Sequence, residues 1–348
     1  QTQGQTSNGA WVTYNSKDAL ESFVLKPIKL QAKEGLSLIN GTSQMCSYLC
    51  QSIINLEMLI FAADAALSTS IEAIKGSYVA FDKRIHDVRP QLGQSISASR
   101  IRSFLDNSEI NDSHVDCDRV QDSYSFRCAP QVHGPMIDVL REARRIVNIE
   151  INSATDNPLV FSSNGKPEVI SGGNFHGQIL AIISDNMAIC IHEIASISER
   201  RINQVLDPQW SGQKAFLAND EGLESGLMIV QYVAAAVIAE LSLLSNPVST
   251  TNVPVSMGKE DHVSMGATAS YRTFKASKLL SSVISSELIC SCQALDNISE
   301  KPSKSVGKIH YWLRNYVSKI EADRSTTKDT EIIAKLLLTP EFIEIFRE

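Results

Sequence analysis

The sequence has no excess of positive charge. Lys and Arg together number 32, against 39 Asp and Glu, which gives a formal net charge of -7 at pH 7. Nucleic acids and anionic membrane surfaces both attract basic proteins, so this balance argues against a general binder of either. We therefore expect no nucleic-acid and no membrane partner, and any partner has to be sought at specific sites.

The sequence also lacks a basic-then-apolar N-terminal signal, and we find no run of residues that is apolar and long enough to span a bilayer. These absences argue against a secreted protein and against a membrane-spanning one. They predict a protein that works in the cytoplasm.

A disulfide framework is not indicated either. The cysteines are odd in number and scattered among mostly apolar neighbours, a pattern typical of free thiols in a reducing cytosol. The His, Cys, Asp and Glu residues show no ligand spacing, so we expect no metal site. The seven cysteines are Cys46, Cys50, Cys117, Cys128, Cys190, Cys290 and Cys292.

The sequence does contain enough apolar residues for a large core, since 43% are apolar and 20% charged over 348 residues. Apolar positions recur at helical spacing over long stretches, and residues 159–161 with a turn at 163–166 indicate a short hairpin. The predicted helices are 45–75, 95–105, 136–151, 178–205, 221–244 and 267–295, followed by two peripheral helices in 302–348.

These stretches predict an all-α fold, a bundle of long helices with short irregular loops that carry the polar residues. Helices with apolar residues on more than one side need many neighbours, which favours a bundle extended by subunit association. We expect a loose polar leader at 1–22, a central helical-bundle domain at 23–300 and peripheral helices at 301–348.

The loop at 120–131, VQDSYSFRCAPQ, has the composition of a wall around a polar cavity. Gln121 supplies an amide, Tyr124 a phenol and Arg127 a guanidinium, and Pro130 is expected to interrupt any regular helix. Arg127 has the fork geometry that binds a carboxylate through two hydrogen bonds. The alternative at this position is a surface salt bridge.

Three further loops carry polar residues between the long helices. The glycines of one of them predict a close approach of the backbone to a neighbouring group. Each loop alone is also compatible with a purely structural role, and His176 in particular has the setting of a structural histidine. The three loops are residues 38–42, 172–177 and 259–266.

Five motifs occur in a fixed order: LINGT at 38–42, the loop at 120–131, NSATDNPLV at 152–160, GGNFH at 172–176 and EDHVSMG at 260–266. In this set and order the chain resembles the aromatic amino acid ammonia-lyases, and within that family most closely its histidine-specific members. The resemblance extends over about residues 25 to 295.

The resemblance implies an all-helical homotetramer whose four active sites are each assembled from three subunits. It implies elimination of ammonia from L-histidine to give trans-urocanate. The proton that leaves is barely acidic and ammonia is a poor leaving group, so the family uses a strong electrophile. That prosthetic group is 4-methylidene-imidazole-5-one (MIO), formed from an Ala-Ser-Gly tripeptide of the protein itself.

The resemblance also implies roles for individual residues. Arg127 would bind the substrate carboxylate, and Asn157 would brace the bound substrate. Asn40 would line the pocket beside the substrate and the prosthetic group. Tyr124 would line it too, as one of two residues with a catalytic role.

Glu260 would be the second residue with a catalytic role and would face the substrate imidazole. Met228 lies 32 residues before Glu260, which is the separation expected between the two residues that flank the side-chain pocket. A Met paired with a Glu is similar to the pair of the histidine-specific members. Gln121 and Phe175 would support the prosthetic group or its formation.

Three features depart from the family pattern. No Ala-Ser-Gly occurs in the 348 residues, so the tripeptide is expected on an N-terminal portion upstream of Gln1, either on another polypeptide or lost by cleavage. The chain alone is then expected to be inactive. Ser43 stands where Gln is usual. Lys259 also replaces a usual Gln, and its positive charge beside Glu260 bears on substrate identity.

Three interpretations stay open at this point. The chain is the C-terminal portion of a histidine ammonia-lyase, or a non-catalytic scaffold or regulatory paralogue, or a lyase or aminomutase acting on another aromatic amino acid or a histidine betaine. The joint presence of Gln121, Tyr124, Arg127 and Glu260 argues against a scaffold, because helix packing requires none of them.

Overall fold

The computed structural model describes residues 2–5, 11–114 and 121–347. Val120 and Cys117, which figured in the sequence predictions, lie outside the described residues. The chain divides into two units, Gln1–Gly41 with Asp156–Phe175 and Thr42–Thr155 with His176–Glu348. The predicted division at 22/23 and 300/301 stays a prediction.

The described residues of the first unit form two antiparallel strand pairs and two short helices. In the second hairpin Val160 lies opposite Val169, which confirms the hairpin predicted from the turn at 163–166. Regular structure also occurs within the predicted loose leader. The elements are β1 (Thr2–Gln5), β2 (Trp11–Tyr14), α1 (Ser16–Ser22), α2 (Glu34–Ile39), β3 (Leu159–Ser163) and β4 (Lys166–Ile170).

The second unit is built from helices, which confirms the predicted all-α fold class. Three short 3-10 turns (Val79–Phe81, Ala215–Leu217 and Ser256–Gly258) connect them. The helices are α3 (Ser43–Ala73), α4 (Lys83–Asp87), α5 (Leu92–Phe104), α6 (Glu109–Asp112), α7 (Tyr124–Arg127), α8 (Ala129–Glu150), α9 (Gln178–Leu206), α10 (Pro208–Ser211), α11 (Met228–Leu244), α12 (Gly266–Leu295), α13 (Lys304–Arg314), α14 (Thr327–Leu336) and α15 (Glu341–Glu344).

The core of this unit lies where α12 packs against α9 and α3. Leu280, Ile284 and Leu288 of α12 are fully buried. Serines fill many of the positions between them, and their small side chains allow neighbouring helices to approach closely. Several of these hydroxyls donate to carbonyls within the helix itself, as when Ser286 donates to the carbonyl of Ser282 at 2.9 Å.

Two helices begin at residues that differ from the prediction. α8 begins at Ala129, so the expectation that Pro130 interrupts the helix is wrong: Pro130 lies in the first turn, where a backbone N–H has no helical acceptor. α11 begins only at Met228, because the N–H groups of Ser225 and Gly226 donate to the Asp323 carboxylate at 2.8 and 2.9 Å and hold the preceding residues in a loop.

Two helical stretches, Glu34–Ala73 and Gln178–Leu206, are long and apolar enough to cross a membrane by length and composition alone. The statement that the sequence contains no such run is therefore wrong. About half of each apolar stretch is buried inside the protein. The core helices of soluble proteins meet the same criterion, and here the two stretches include α3 and α9 of the core.

The cysteines of the described ranges are all free. Burial raises the pKa of the Cys292 thiol to about 12 and that of Cys46 to about 11. Both thiols therefore stay protonated near neutral pH and behave as small apolar side chains.

Candidate active site

The loop at 121–131 forms one wall of a cavity of about 400 Å³ that has both polar and apolar lining residues. Gln121, Asp122, Arg127 and Gln131 all line this cavity, which we call the Arg127 cavity. Its wall is the short helix α7 and the first turn of α8. The polar side chains of the loop thus line a cavity, and its role as an active site stays a prediction.

Arg127 enters this cavity with hydrogen-bonding capacity to spare. Its guanidinium carbon lies 4.6 Å from the centre of the Tyr124 ring, a cation–π contact that fixes its plane. Within the described part of the chain, the Nε of Arg127 is buried without a hydrogen-bond partner, as is the Oε1 of Gln131. Among the described residues no carboxylate lies within ion-pair distance of Arg127, so the surface salt bridge is not what the structure shows.

A buried ion pair in the core holds the backbone of α7. Arg201 of α9 binds Glu287 of α12 through two hydrogen bonds of 2.5 and 2.8 Å, and both side chains are fully buried. Arg201 also donates from Nη1 to the carbonyl of Ser125, at 3.2 Å. The hydroxyls of Ser70 and Ser198 donate to the same carboxylate at 2.8 and 2.5 Å. This Glu287 network joins three core helices to the cavity wall.

A second tether holds the beginning of α7. Ser123, the residue before the helix, donates its hydroxyl to Oε1 of Gln204 on α9 at 2.8 Å. Phe126 of the same helix is buried in the core, with 1% of its surface exposed. Burial of Phe126 turns the opposite side of the helix, with Tyr124, toward solvent. The core therefore fixes α7 at its start and along its inner face.

Glu260 lies on an exposed loop before α12. A short antiparallel bridge joins Val255 and Glu260 across the 3-10 turn Ser256–Gly258. The side chain of Glu260 is exposed and has no ion-pair partner among the described residues. The carboxylate is therefore free to accept from a ligand.

The loop after Glu260 is fixed by two side chains. Asn252 accepts the N–H of Val263 at 3.1 Å and pairs with the ring of His262. Nε2 of His176 lies 3.1 Å from the carbonyl oxygen of His262, and the two rings stack with centres 5.7 Å apart. The structural role expected of His176 agrees with this position.

The glycine loop makes one close approach of the predicted kind. A Cβ on Gly177 would collide with the sulfur of Met45, and the same sulfur lies against Gly266 at the start of α12. Cβ atoms on Gly172 and Gly173 would meet open space. The Met45 side chain of α3 therefore packs directly against the glycines at the starts of α9 and α12.

Met228 is the first residue of α11 and lines a different cavity of about 280 Å³, together with Phe216 and Glu221. Neither this cavity nor the Arg127 cavity contains Glu260. The predicted pairing of Met228 with Glu260 is thus not formed in either cavity of one chain. It stays a prediction, because the resemblance implies sites assembled from three subunits.

In the first unit, Asp156 brings two predicted site residues together. Its carboxylate accepts the side-chain amide of Asn40 at 3.0 Å and the backbone N–H of Asn157 at 2.7 Å. It also accepts from Lys33 Nζ at 2.7 Å and from Ser37 Oγ at 3.0 Å. The Lys33 ammonium is the main reason why the pKa of Asp156 lies well below its usual range.

Asn157 continues this arrangement toward the glycine loop. Its side-chain oxygen accepts the N–H of Gly172 at 2.8 Å and the hydroxyl of Ser171 at 3.1 Å. Phe175, at the end of this unit, is partly buried. The structure thus connects Asn40, Asn157 and the glycine loop through side-chain hydrogen bonds.

Sequence reasoning assigned no role to Asp156 or Glu287. Asp156 stood inside a quoted motif beside Asn157, and a carboxylate next to a candidate site residue was a usable signal. Glu287 stood in the stretch 279–292 of α12, whose other residues are all apolar or small. A charge at such a position signals a buried partner.

Comparison with known proteins identifies the fold and the family. The profile of the aromatic amino acid lyase family matches residues 5–315. The histidine ammonia-lyase of Myxococcus xanthus is 41% identical over 333 residues, which are 95% of this chain and 65% of that protein. This chain therefore spans less than two thirds of that relative.

Solved structures agree with this match. The crystal structure of histidine ammonia-lyase from Trypanosoma cruzi aligns with a TM-score of 0.88 and 34% identity, over 99% of this chain and 65% of that one. Tyrosine aminomutase from Streptomyces globisporus aligns with a TM-score of 0.87 and 32% identity, over 98% and 68%. On the extent of the profile match, this chain belongs to the aromatic amino acid lyase family.

Proposed function

We propose that this chain is the C-terminal portion of a histidine ammonia-lyase, which eliminates ammonia from L-histidine to give trans-urocanate. Two comparisons support this assignment, since the Myxococcus xanthus relative and the Trypanosoma cruzi structure are both histidine ammonia-lyases. The observation that carries it is Arg127, whose guanidinium lines a cavity and has a buried N–H with no hydrogen-bond partner among the described residues.

Arg127 binds the carboxylate of the amino acid in this proposal. The Tyr124 ring holds the guanidinium in one plane, and a planar fork gives a carboxylate two parallel hydrogen bonds. Glu260 faces the other end of the substrate, where its carboxylate accepts the imidazole N–H. Tyr124 is 69% exposed, which leaves its phenol accessible to the substrate and the prosthetic group.

The Arg127 cavity fits a polar prosthetic group. Gln121 lines it with an amide, and Gln131 adds an unpartnered acceptor. Gln121 and Phe175 would hold MIO, which supplies the electrophile that captures the substrate. The residues of this chain bind and orient the amino acid beside it.

We propose that the Ala-Ser-Gly tripeptide is supplied by an N-terminal portion, since it does not occur in the 348 residues. Intact mass spectrometry of the active native particle tests this directly. The expected result is a polypeptide that bears Ala-Ser-Gly, either as a second species or joined to this chain. Active particles built only from a 38.2 kDa species would contradict it.

Self-association is part of the proposal. α11 is strongly apolar, yet Ile229, Tyr232 and Leu243 are each more than half exposed. Exposed apolar faces of this kind mark association sites. A second copy of the chain is the expected partner, in a cytoplasmic tetramer of the assembled unit.

An aminomutase is the second candidate, because the Streptomyces globisporus tyrosine aminomutase aligns almost as well. A lyase releases ammonia and urocanate, whereas an aminomutase returns a β-amino acid. Chromatographic analysis of the products from L-histidine separates the two activities. A β-amino acid as the main product would replace the lyase proposal.

Replacing Arg127 with Ala tests the proposed carboxylate contact. In the full enzyme that contains this chain, we expect the KM for L-histidine to rise by about 30-fold or more, since charge-assisted contacts of this kind contribute about 2 to 4 kcal/mol. Arg127→Lys keeps the charge but loses the two parallel donors, so its KM should lie between those of the parent enzyme and of Arg127→Ala. The measurement is urocanate absorbance against substrate concentration.

Arg144→Ala is the matched control. Arg144 is exposed and pairs with Glu57 at 2.6 Å, away from the cavity lining. It should leave KM unchanged. An Arg127→Ala enzyme with the parent KM would remove Arg127 from its assigned role.

A further inference from the structure

The amide of Asn40 has a defined orientation because of the group it faces. An ionised carboxylate has only acceptor atoms, so the Asn40 atom 3.0 Å from Asp156 must be the NH₂ group. The amide oxygen then points away from Asp156. No described residue donates to that oxygen.

Asp156 stays ionised across the physiological range. Four donors converge on it: the Lys33 ammonium, the Asn157 N–H, the Asn40 amide and the Ser37 hydroxyl. Together they keep the pKa of the carboxyl below its usual range. Protonation, which would let the carboxyl donate to Asn40 and so permit the reversed amide, is confined to strongly acidic solutions.

We propose that Asp156 is a positioning residue that locks the Asn40 carboxamide with its oxygen directed to the substrate. The inference rests on the proposed function, in which Asn40 lines the substrate pocket. A free amide oxygen is an acceptor, and the donor that an amino acid offers at its reacting end is its ammonium group. Asp156 thus sets the preference for ligands that carry an amino group.

The Asp156→Asn variant breaks the lock at constant volume. An Asn at this position can donate to Asn40 as well as accept from it, so both orientations of the Asn40 amide become possible. In the full enzyme we expect kcat/KM for L-histidine to fall about tenfold or more, as for a lost hydrogen bond to a charged group. The inhibition constant of trans-urocanate, which has no amino group, should change by less than about twofold.

A double-mutant cycle tests whether Asp156 acts through Asn40. Asn40→Ala alone should also lower kcat/KM for L-histidine. Adding Asp156→Asn to Asn40→Ala should then cost less than about twofold more, because the residue being oriented is already absent. Asp156→Glu keeps an acceptor-only group and should recover part of the loss.

The control is Asp18→Asn, the same change on the exposed helix α1 of the same unit, which should leave all constants unchanged. Losses that add fully in the cycle, or urocanate binding that weakens as much as histidine turnover, would overturn the proposal. Those results require a parent enzyme that makes urocanate. A parent enzyme that makes none would refute the proposed function and this inference together.

Discussion

Each unit of the chain contains a carboxylate that holds candidate site residues of that unit in place, and the two carboxylates lie in opposite environments. Asp156 is partly exposed, at 19%, and collects donors from a short helix and a turn. Glu287 is fully buried and binds an arginine and two hydroxyls from core helices. The same chemical group therefore serves two different purposes.

The two carboxylates differ in which property of the protein changes when their interactions are removed. A buried charge that loses its partner remains without solvent, so the whole fold is destabilised. A carboxylate at the surface can be solvated by water instead, and only the geometry of its neighbours changes. Glu287 should therefore affect stability and Asp156 should affect turnover.

Removing one member of the buried pair should have the largest effect. Glu287→Ala leaves the Arg201 guanidinium buried without a counter-charge, and we expect a loss of about 3 to 5 kcal/mol of unfolding free energy. Thermal or denaturant unfolding of the full enzyme measures it. A change below about 1 kcal/mol would contradict the assigned role of the pair.

Replacing both members separates charge from packing. The Arg201→Met/Glu287→Met protein keeps apolar volume and removes both buried charges, so it should recover most of the lost stability. It still lacks the donor to the Ser125 carbonyl. We therefore expect normal folding with a raised KM for L-histidine, and a parent-like KM would mean that the contact with Ser125 does not position α7.

Glu72 provides the intermediate case, a buried carboxylate that has no ion-pair partner among the described residues. It is 0% exposed, the backbone N–H of Ser303 donates to it at 3.0 Å, and burial raises its pKa to about 7. The folded state then binds a proton that the unfolded state releases between about pH 4.5 and pH 7, so stability falls as the pH rises through this window.

Glu72→Gln should remove this pH dependence. The neutral amide still accepts from Ser303. The free energy of unfolding of the variant should therefore exceed that of the parent protein by up to about 3 kcal/mol at about pH 8 and match it at about pH 5. The measurement is unfolding at both pH values. Glu57→Gln, at an exposed position, should keep the parent's difference in unfolding free energy between the two pH values. The same difference in Glu72→Gln would contradict the pKa assignment.

The smallest effect on stability is expected at Lys33, on the exposed side of the comparison. Lys33→Met removes a cation that is 33% exposed, while three donors to Asp156 remain. We expect the unfolding midpoint to move by less than about 2 °C. A shift as large as that of Glu287→Ala would mean that the two carboxylates do not differ in the way described.

The contrast also explains what the sequence could predict. The apolar spacing of α9 and α12 predicted their bounds to within a residue or two, because the core imposes the helical period directly on the sequence. The start of α11 was missed because it depends on Asp323, which is almost a hundred residues away along the chain. No local pattern contains that contact.

The candidate site divides in the same way. Residue type and order pointed to Arg127 and to the wall of its cavity, because a guanidinium among amides and a phenol is unusual in a core segment. The Glu287 network could not be predicted, since Arg201 and Ser70 lie 86 and 217 residues from Glu287. The contacts of this network form only when α3, α9 and α12 pack together.

We propose that this chain provides the substrate-binding residues of a histidine-specific lyase. The most direct measurement is urocanate absorbance after L-histidine is added to the full enzyme that contains this chain, with L-phenylalanine as the parallel substrate. The account predicts urocanate from L-histidine and much slower elimination from L-phenylalanine. Cinnamate formed faster than urocanate, or no elimination product from either amino acid, would contradict it.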